Sequence, residues 1–299
     1  MICDYEGSDY KTRFWQNADR AYEDAVERVA VRRLLPPRGR RIVEYGAGFG
    51  RLAELYTGYD EIILLDYSRT LLEQAMERWG ADPRFKFVAG DVYHLPFGAG
   101  IMDAATMIRV IHHLADAPAA LREIRRAMAP GGAFVLEYAN KRNLKSMLRY
   151  ALRRQTWSPY AGDPVEFVKL NFDFHPRWMQ QQLRAAGFET RRQLAVSYLR
   201  AGGLKRILPL KWMVYIDALL QLSAPVALLS PSVFTRNDIT TGSNNAVTRD
   251  QLPSIGGDDI FISPRSGLPL RREGDLLVCD GDGTRWQVRG HFYDFKEPV

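Results

Sequence analysis

Cysteine is nearly missing from this chain: 299 residues contain two, Cys3 and Cys279, near opposite ends. A disulfide framework or a cysteine-rich metal site cannot be built from such a pair alone, and the pattern predicts a reducing compartment. Long apolar runs are also missing. The most apolar stretch, Trp212 to Leu229, is broken by Asp217, Gln221 and Pro225, whereas a membrane-spanning helix wants about 20 predominantly apolar residues in succession. That stretch predicts a buried or lid helix. The opening MICDYEGSDYKTRFW lacks the basic and apolar regions of a secretory signal, which predicts a cytoplasmic protein. No internal repeat or low-complexity bias is visible, which excludes collagen-like and disordered classes.

What is present is ordinary for a folded chain, with 46% hydrophobic and 25% charged residues. The length is twice a one-domain prior of about 150 residues, so a large domain with an appendage and a two-domain chain both fit. A net charge of +6 would suit nucleic acid, anionic lipid or an acidic small molecule. The charge is unevenly placed: residues 141–211 hold 15 Lys and Arg against four acids, so the rest of the chain is net acidic.

Along the chain, apolar residues at helical spacing from Asn17 to Leu35 predict one amphipathic helix, ended by Pro36-Pro37. Arg41 to Tyr45 reads as a strand, followed by glycines at 46, 48 and 50 and a helical segment Arg51 to Tyr56. Ile62 to Asp66 is a second strand, with Ser68 capping a helix to Trp79, and Phe85 to Ala89 is a third. Met102 to Val110 and Ala133 to Tyr138 read as further strands around a helix from Ala117 to Met128. This alternation predicts an α/β fold, a parallel sheet covered on both faces.

Beyond Asn140 the pattern becomes basic and mixed, with a helix from Pro176 to Ala186 and a strand from Thr190 to Leu199. The organisation predicted is an N-terminal helix and flap over 1–40, a main domain over 41–236 with a basic, helical insertion at about 141–235, a linker over 237–259 and a small β-rich tail over 260–299.

The turn Glu44-Tyr45-Gly46-Ala47-Gly48-Phe49-Gly50 sets three glycines at alternate positions after a strand, so ligand atoms can approach the backbone and a helix N-terminus can face them. Asp66 closes the next strand, 22 residues after Glu44, as suits a carboxylate accepting both hydroxyls of a ribose. A dinucleotide site wants G-x-G-x-x-G, but this turn reads G-x-G-x-G, with Arg51 in place of the third dinucleotide glycine.

With VEYGAGFGRLA, LLDYS, AGDVYHLPF, DAATMIRVIHHL and LREIRRAMAPGGAFVLE in that order, the chain resembles the class I S-adenosylmethionine-dependent methyltransferases. Within them it is similar to the group that includes quinone-biosynthesis methyltransferases. The resemblance covers residues 15 to 140 closely and implies a Rossmann-like, doubly wound, mostly parallel seven-stranded sheet. Its implied cofactor is S-adenosylmethionine, with Glu44, Gly46 and Gly48 beside the methionine and ribose, Asp66 and Tyr67 at the ribose, and Asp91 and Val92 at the adenine. Arg109 would lie beside the methionyl group through its backbone. Tyr5, Tyr10 and Trp15 are candidates for a flap over the cofactor.

Methyl transfer from a sulfonium is an in-line displacement, which alignment in a dry pocket can accelerate without a dedicated catalytic residue. His112 and His113, after the fourth strand, are candidates for a general base or for positioning the acceptor, and His175 in Phe172-Asp173-Phe174-His175-Pro176 is another. Each also reads as a structural residue.

In the insertion, Leu144, Met147, Leu148 and Ala151 form an apolar stripe flanked by Lys145, Arg149 and Arg153. That pattern suits a helix on an anionic surface, a helix over a pocket, or a solvated helix face. The function expected is methyl transfer to an O, N or C atom of a small or lipid-like acceptor, with peripheral membrane contact as a further expectation. An RNA methyltransferase and a non-catalytic cofactor-binding protein are the alternatives.

The tail FISPRSGLPLRREGDLLVCDGDGTRWQVRGHFYDF is similar to small zinc-ribbon-like modules attached to some bacterial methyltransferases. Three of the four ligand positions would be Ser263, Ser266 and Asp282, leaving Cys279. Serine hydroxyls are poor zinc ligands, so a metal-free tail held by its apolar packing is expected.

Overall fold

The computed structural model describes residues 20–200, 205, 207–239 and 253–299. Tyr5, Tyr10 and Trp15 lie outside them.

The chain opens on helix α1 (Ala21–Leu34), whose Tyr22, Val26, Ala30 and Leu34 are buried on one stripe. Strands β1 (Gly39–Tyr45), β2 (Tyr59–Asp66), β3 (Phe85–Ala89), β4 (Met102–Met107) and β5 (Met128–Ala139) follow, with α2 (Arg69–Trp79) and α3 (Ala117–Ala127) between them. Side chains alternate between two cores, as strand pleating requires. Ile42, Ile62 and Leu64 face α1 and α2, while Val43, Ile63 and Leu65 face α3. Burial on both faces is why these strands read as unbroken apolar runs.

Helix α4 (Leu144–Ala151), the hairpin β6 (Val165–Val168) and β7 (Asn171–Asp173), helix α5 (Pro176–Ala185), strand β8 (Phe188–Val196), helix α6 (Leu210–Leu220) and strand β9 (Ser232–Ile239) come next. The insertion is thus only partly helical. The sheet order through these strands is β3-β2-β1-β4-β5-β9-β8, parallel except where β9 runs antiparallel to β5 and β8. The expected α/β class holds.

Strand β9 corrects the predicted boundary, because a domain ending at 236 and a linker from 237 would cut it. Its polar sequence hides its position: Asn237 is fully buried, donating from Nδ2 to the Phe134 carbonyl at 3.1 Å.

The tail forms a meander, β10 (Arg271–Glu273), β11 (Leu276–Val278), β12 (Arg285–Arg289) and β13 (Phe292–Asp294). β13 pairs in parallel with β3, so the seven expected strands become part of an eleven-stranded sheet. Phe261, Leu277, Trp286 and Tyr293 share one apolar core with Val88 and Phe97 of the main domain. Ser263 Oγ donates to Asp282 Oδ2 at 2.6 Å, Ser266 Oγ bonds the same oxygen, and Ser266 Oγ lies 3.8 Å from Cys279 Sγ. The four positions singled out in the tail therefore meet at one place.

No helix among the described residues is long and apolar enough to cross a membrane. Within the stretch Trp212 to Leu229, α6 runs to Leu220 and a short 3-10 turn, Gln221–Ser223, follows. Met213 and Asp217 are buried against α1, while Trp212, Tyr215 and Leu219 are exposed.

Candidate active site

The strand order reverses between β1 and β4, which opens a crevice beyond their C-terminal ends. Both Gly46 and Ala47 donate from their amides to the Leu65 carbonyl, at 2.8 and 3.0 Å, fastening the glycine turn to β2. Gly46 has a left-handed φ of 71°, and a Cβ there would stand 2.2 Å from Val110 Cγ2. Gly48 donates from its amide to Asp66 Oδ2 at 2.7 Å, and Ser68 to Oδ1 at 2.9 Å. One carboxylate thereby joins the turn after β1 to the end of β2.

The helix expected over Arg51 to Tyr56 is a single 3-10 turn, Ala53–Tyr56. The pocket is thus fronted by the amides of the glycine turn and not by a regular helix N-terminus. Arg51 lines the pocket and pairs with Asp24 at 2.8 Å and Glu27 at 2.6 Å.

All the expected cofactor contacts line one pocket except Asp91. Asp91 turns to local bonds, accepting from the Tyr93 amide at 2.8 Å and pairing with His94 at 3.1 Å, and its neighbours Gly90 and Val92 line the wall instead. The carboxylate of Asp91 is an Asx-type turn former here, a role that its sequence context leaves equally open.

Arg109 adopts a left-handed φ of 63°, rare for a residue with a side chain. Its amide donates to Glu137 Oε2 at 2.9 Å and its Nε to Glu27 Oε1 at 2.7 Å. Burial alone would raise the Glu27 carboxyl, but the Arg109 and Arg51 guanidiniums pull it down to about 2. Glu44 behaves oppositely. Burial pushes its carboxyl up to about 8 against the pull of Arg51, and its Oε2 is buried with no hydrogen-bond partner among the described residues. Asp66 is also raised by burial, opposed by the amides of Ser68, Gly48 and Tyr67.

His113 lines the pocket, and its Nδ1 lies 3.0 Å from the Leu170 carbonyl. A carbonyl only accepts, so this bond selects the Nδ1–H tautomer and leaves the lone pair on Nε2. Burial lowers the His113 pKa, with the Leu170 bond opposing. The His112 ring packs against it at a tilt of 51°, 4.2 Å between centroids, but His112 does not line the pocket. His175 is not brought there either. It caps α5, its Nδ1 accepting from the Arg177 amide at 3.2 Å.

Two contributions escaped the sequence reading. Asp173 of β7 is pushed up to about 6 by burial, with Lys141 opposing, and faces a separate cavity with Trp157 and Phe167. The residues after β13 reach the Tyr67 side of the pocket: Lys296 Nζ stands 4.1 Å over the Tyr67 ring, and the Phe295 amide donates to the Ala89 carbonyl at 2.7 Å. No local pattern joins residues so far apart in the chain.

The doubly wound sheet with a pocket at its switch point has the fold of the class I methyltransferases. Residues 43–136 match the family model described as a methyltransferase domain. The chain is 32% identical over 115 residues to the demethylmenaquinone methyltransferase of Clavibacter sepedonicus, covering 38% of this chain and 47% of that one. It is 32% identical over 133 residues to a ubiquinone/menaquinone biosynthesis C-methyltransferase of a Caulobacter species, covering 40% and 51%. The matches span about half the length of these curated relatives. Among solved structures, the fold is similar to a chain of the Haloferax volcanii complex between a methyltransferase and the Trm112 methyltransferase activator, with a TM-score of 0.55 and 19% identity over 79% of this chain and 98% of that one. It is also similar to a S-adenosylmethionine-dependent methyltransferase of Thermotoga maritima, with a TM-score of 0.52 and 21% identity over 77% and 98%.

Proposed function

We propose that this protein is an enzyme that transfers the methyl group of S-adenosylmethionine to a small, lipid-like acceptor. The observation that carries the cofactor half is the meeting of Glu44, the Gly46–Gly50 turn and Asp66 in one pocket at the switch point. The residues present fit the cofactor. The unpartnered, buried Oε2 of Glu44 suits the ammonium group of a methionyl moiety, and at Gly48, where a Cβ would meet only Leu71 Cδ1 at 3.9 Å, the turn leaves room for a ligand. Asp66, held by two amides, suits a pair of ribose hydroxyls. When bound, S-adenosylmethionine supplies a methyl group on a sulfonium, a leaving group that needs no protonation.

The chain's own work is to bind, align and keep water out. Arg109 and Val110 form the wall next to the glycine turn, and the Arg109 backbone is fixed by Glu137. His113, with its lone pair directed to Nε2 and its pKa lowered, is neutral near pH 7 and suited to accept a proton from an acceptor hydroxyl or carbon acid. Quinone methylation by the two curated relatives and the apolar surroundings of the insertion support the lipid-like class of acceptor.

The test is incubation with methyl-labelled cofactor and fractionated extract of the source cells. Label in the lipid or small-molecule fraction is expected. Label confined to RNA would overturn the acceptor half, and cofactor binding with no labelled product in any fraction would overturn the enzymatic reading. Asp66→Ala should abolish cofactor binding by calorimetry, and unchanged affinity would refute the ribose assignment.

A further inference from the structure

Helix α6 is apolar apart from Lys211 and the buried Asp217. Met213 and Asp217 face α1, where the Asp217 carboxylate accepts from Tyr22 Oη at 2.7 Å and from the Tyr198 amide at 2.8 Å. Trp212, Tyr215 and Leu219 are exposed, and beyond the helix Leu222 and Val226 are exposed as well. Trp212 is 59% exposed and Val226 92% exposed. A helix apolar all round is ordinarily buried all round, and monomeric proteins rarely leave so many large apolar side chains together in water.

The second row lies on α4. Leu144, Leu148 and Leu152 are each more than half exposed. The two rows belong to segments that touch: the Leu144 amide donates to the Leu229 carbonyl at 2.9 Å, just beyond Val226. Exposed cations accompany both, Lys145, Arg149, Arg153 and Arg154 around α4 and Lys211 on α6. They sit in the stretch 141–211, whose 15 basic residues face four acids in sequence.

We propose that the outer faces of α6 and α4 dock this protein on the surface of an anionic phospholipid bilayer. Charge complementarity chooses this occupant: a second copy of the same face would bring the same cations together, whereas anionic headgroups neutralise them. Trp212 and Tyr215, packed edge to face at 6.2 Å between centroids, are the residue types that settle at the headgroup level, with Leu219, Leu222 and Val226 reaching the acyl boundary. The cations around α4 lie within reach of the headgroups in that pose. Both segments adjoin the far end of β5, the same sheet edge as the pocket, since Asn140 follows β5 and donates from Nδ2 to the carbonyls of Leu228 and Ser230. A lipid-like acceptor would then be delivered from the surface on which the protein rests, a consequence that depends on the proposed function, whereas the docking itself does not.

The test is flotation of the full chain with vesicles of phosphatidylcholine, with and without phosphatidylglycerol, alongside calorimetric cofactor binding. The wild-type protein is expected to float with the anionic vesicles and less with the neutral ones. Trp212→Glu with Leu219→Glu should reduce flotation about tenfold while cofactor affinity stays unchanged, which also shows that the variant folds. Lys145→Glu with Arg149→Glu should weaken only the anionic preference. The proposal is overturned if the wild-type protein stays in the aqueous fraction with both compositions, or if both double variants float as well as it does. It is equally overturned if sedimentation shows a concentration-dependent dimer that Trp212→Glu with Leu219→Glu dissociates, without vesicle binding. Absence of methyl transfer alone would count against the proposed function and leave the docking result standing.

Discussion

Arg69 and Asp294 form a two-bond ion pair, Nε to Oδ2 at 2.7 Å and Nη2 to Oδ1 at 3.1 Å, that ties the last strand of the tail to the first residue of α2. Arg69 lies three residues beyond Asp66, so the pair braces the loop that follows the Asp66 carboxylate. Asp294→Asn should cost about 1 kcal/mol of stability, because the pair is partly exposed and screened. It should also weaken cofactor binding severalfold. Thermal melting and calorimetry read the two effects, and an unchanged cofactor affinity would confine the tail to a stabilising role.

Gly46→Ala meets two obstacles at once, a left-handed backbone and the Val110 methyl groups. A loss of about 3 kcal/mol in urea unfolding is expected. Adding Val110→Ala should recover the steric part and leave the backbone part, so the double variant should fall between the wild type and Gly46→Ala.

Glu44 makes cofactor binding pH-dependent. Its folded value of about 8 stands above the ordinary 4.5, so the carboxyl is protonated in the ligand-free protein at neutral pH. A cationic ligand favours the ionised form, so affinity should fall as pH drops below 8, by up to about tenfold per unit. The stability contribution has the matching sign: it is present in full below 4.5 and is lost as pH rises toward about 8. Glu44→Gln should bind weakly at every pH and flatten both profiles, as calorimetry and urea unfolding across pH 5 to 9 would register.

Ser263, Ser266 and Asp282 converge beside Cys279, with hydroxyls holding the Asp282 carboxyl well below the usual range. Among the described residues no group of three or more His, Cys, Asp and Glu is placed to hold a metal. The resemblance of the tail to a zinc ribbon is tested by restoring the ligands. Changing all three residues to Cys should then create a tetrahedral thiolate site that binds one zinc, detectable by cobalt substitution spectra. A triple variant that folds but binds no zinc would reject that reading.

Much of this was legible in the chain itself. Strand–turn–helix alternation, the glycines at 46, 48 and 50 and an acid at the end of β2 are local signals, and each describes an element that forms from its own residues and neighbours. Glu44, Asp66 and His113 could be singled out because strand ends at a switch point are where such sheets keep their ligands. Asp91 and His175 differ for a physical reason as well. A carboxylate or imidazole beside a turn can bond its own backbone as readily as a ligand, and the turn geometry decides between them.

The sequence by itself determined the class of sheet, the glycine turn and the uneven placement of charge, since these rest on period, spacing and residue type. Only the tertiary structure decided that Ser232–Ile239 is a strand paired on both sides, that the tail extends the main sheet through β3, and that α6 keeps apolar side chains exposed. Those outcomes depend on pairing between residues far apart in the chain, where hydrogen bonds such as Asn237 to Phe134 satisfy polar groups that a local reading assigns to solvent.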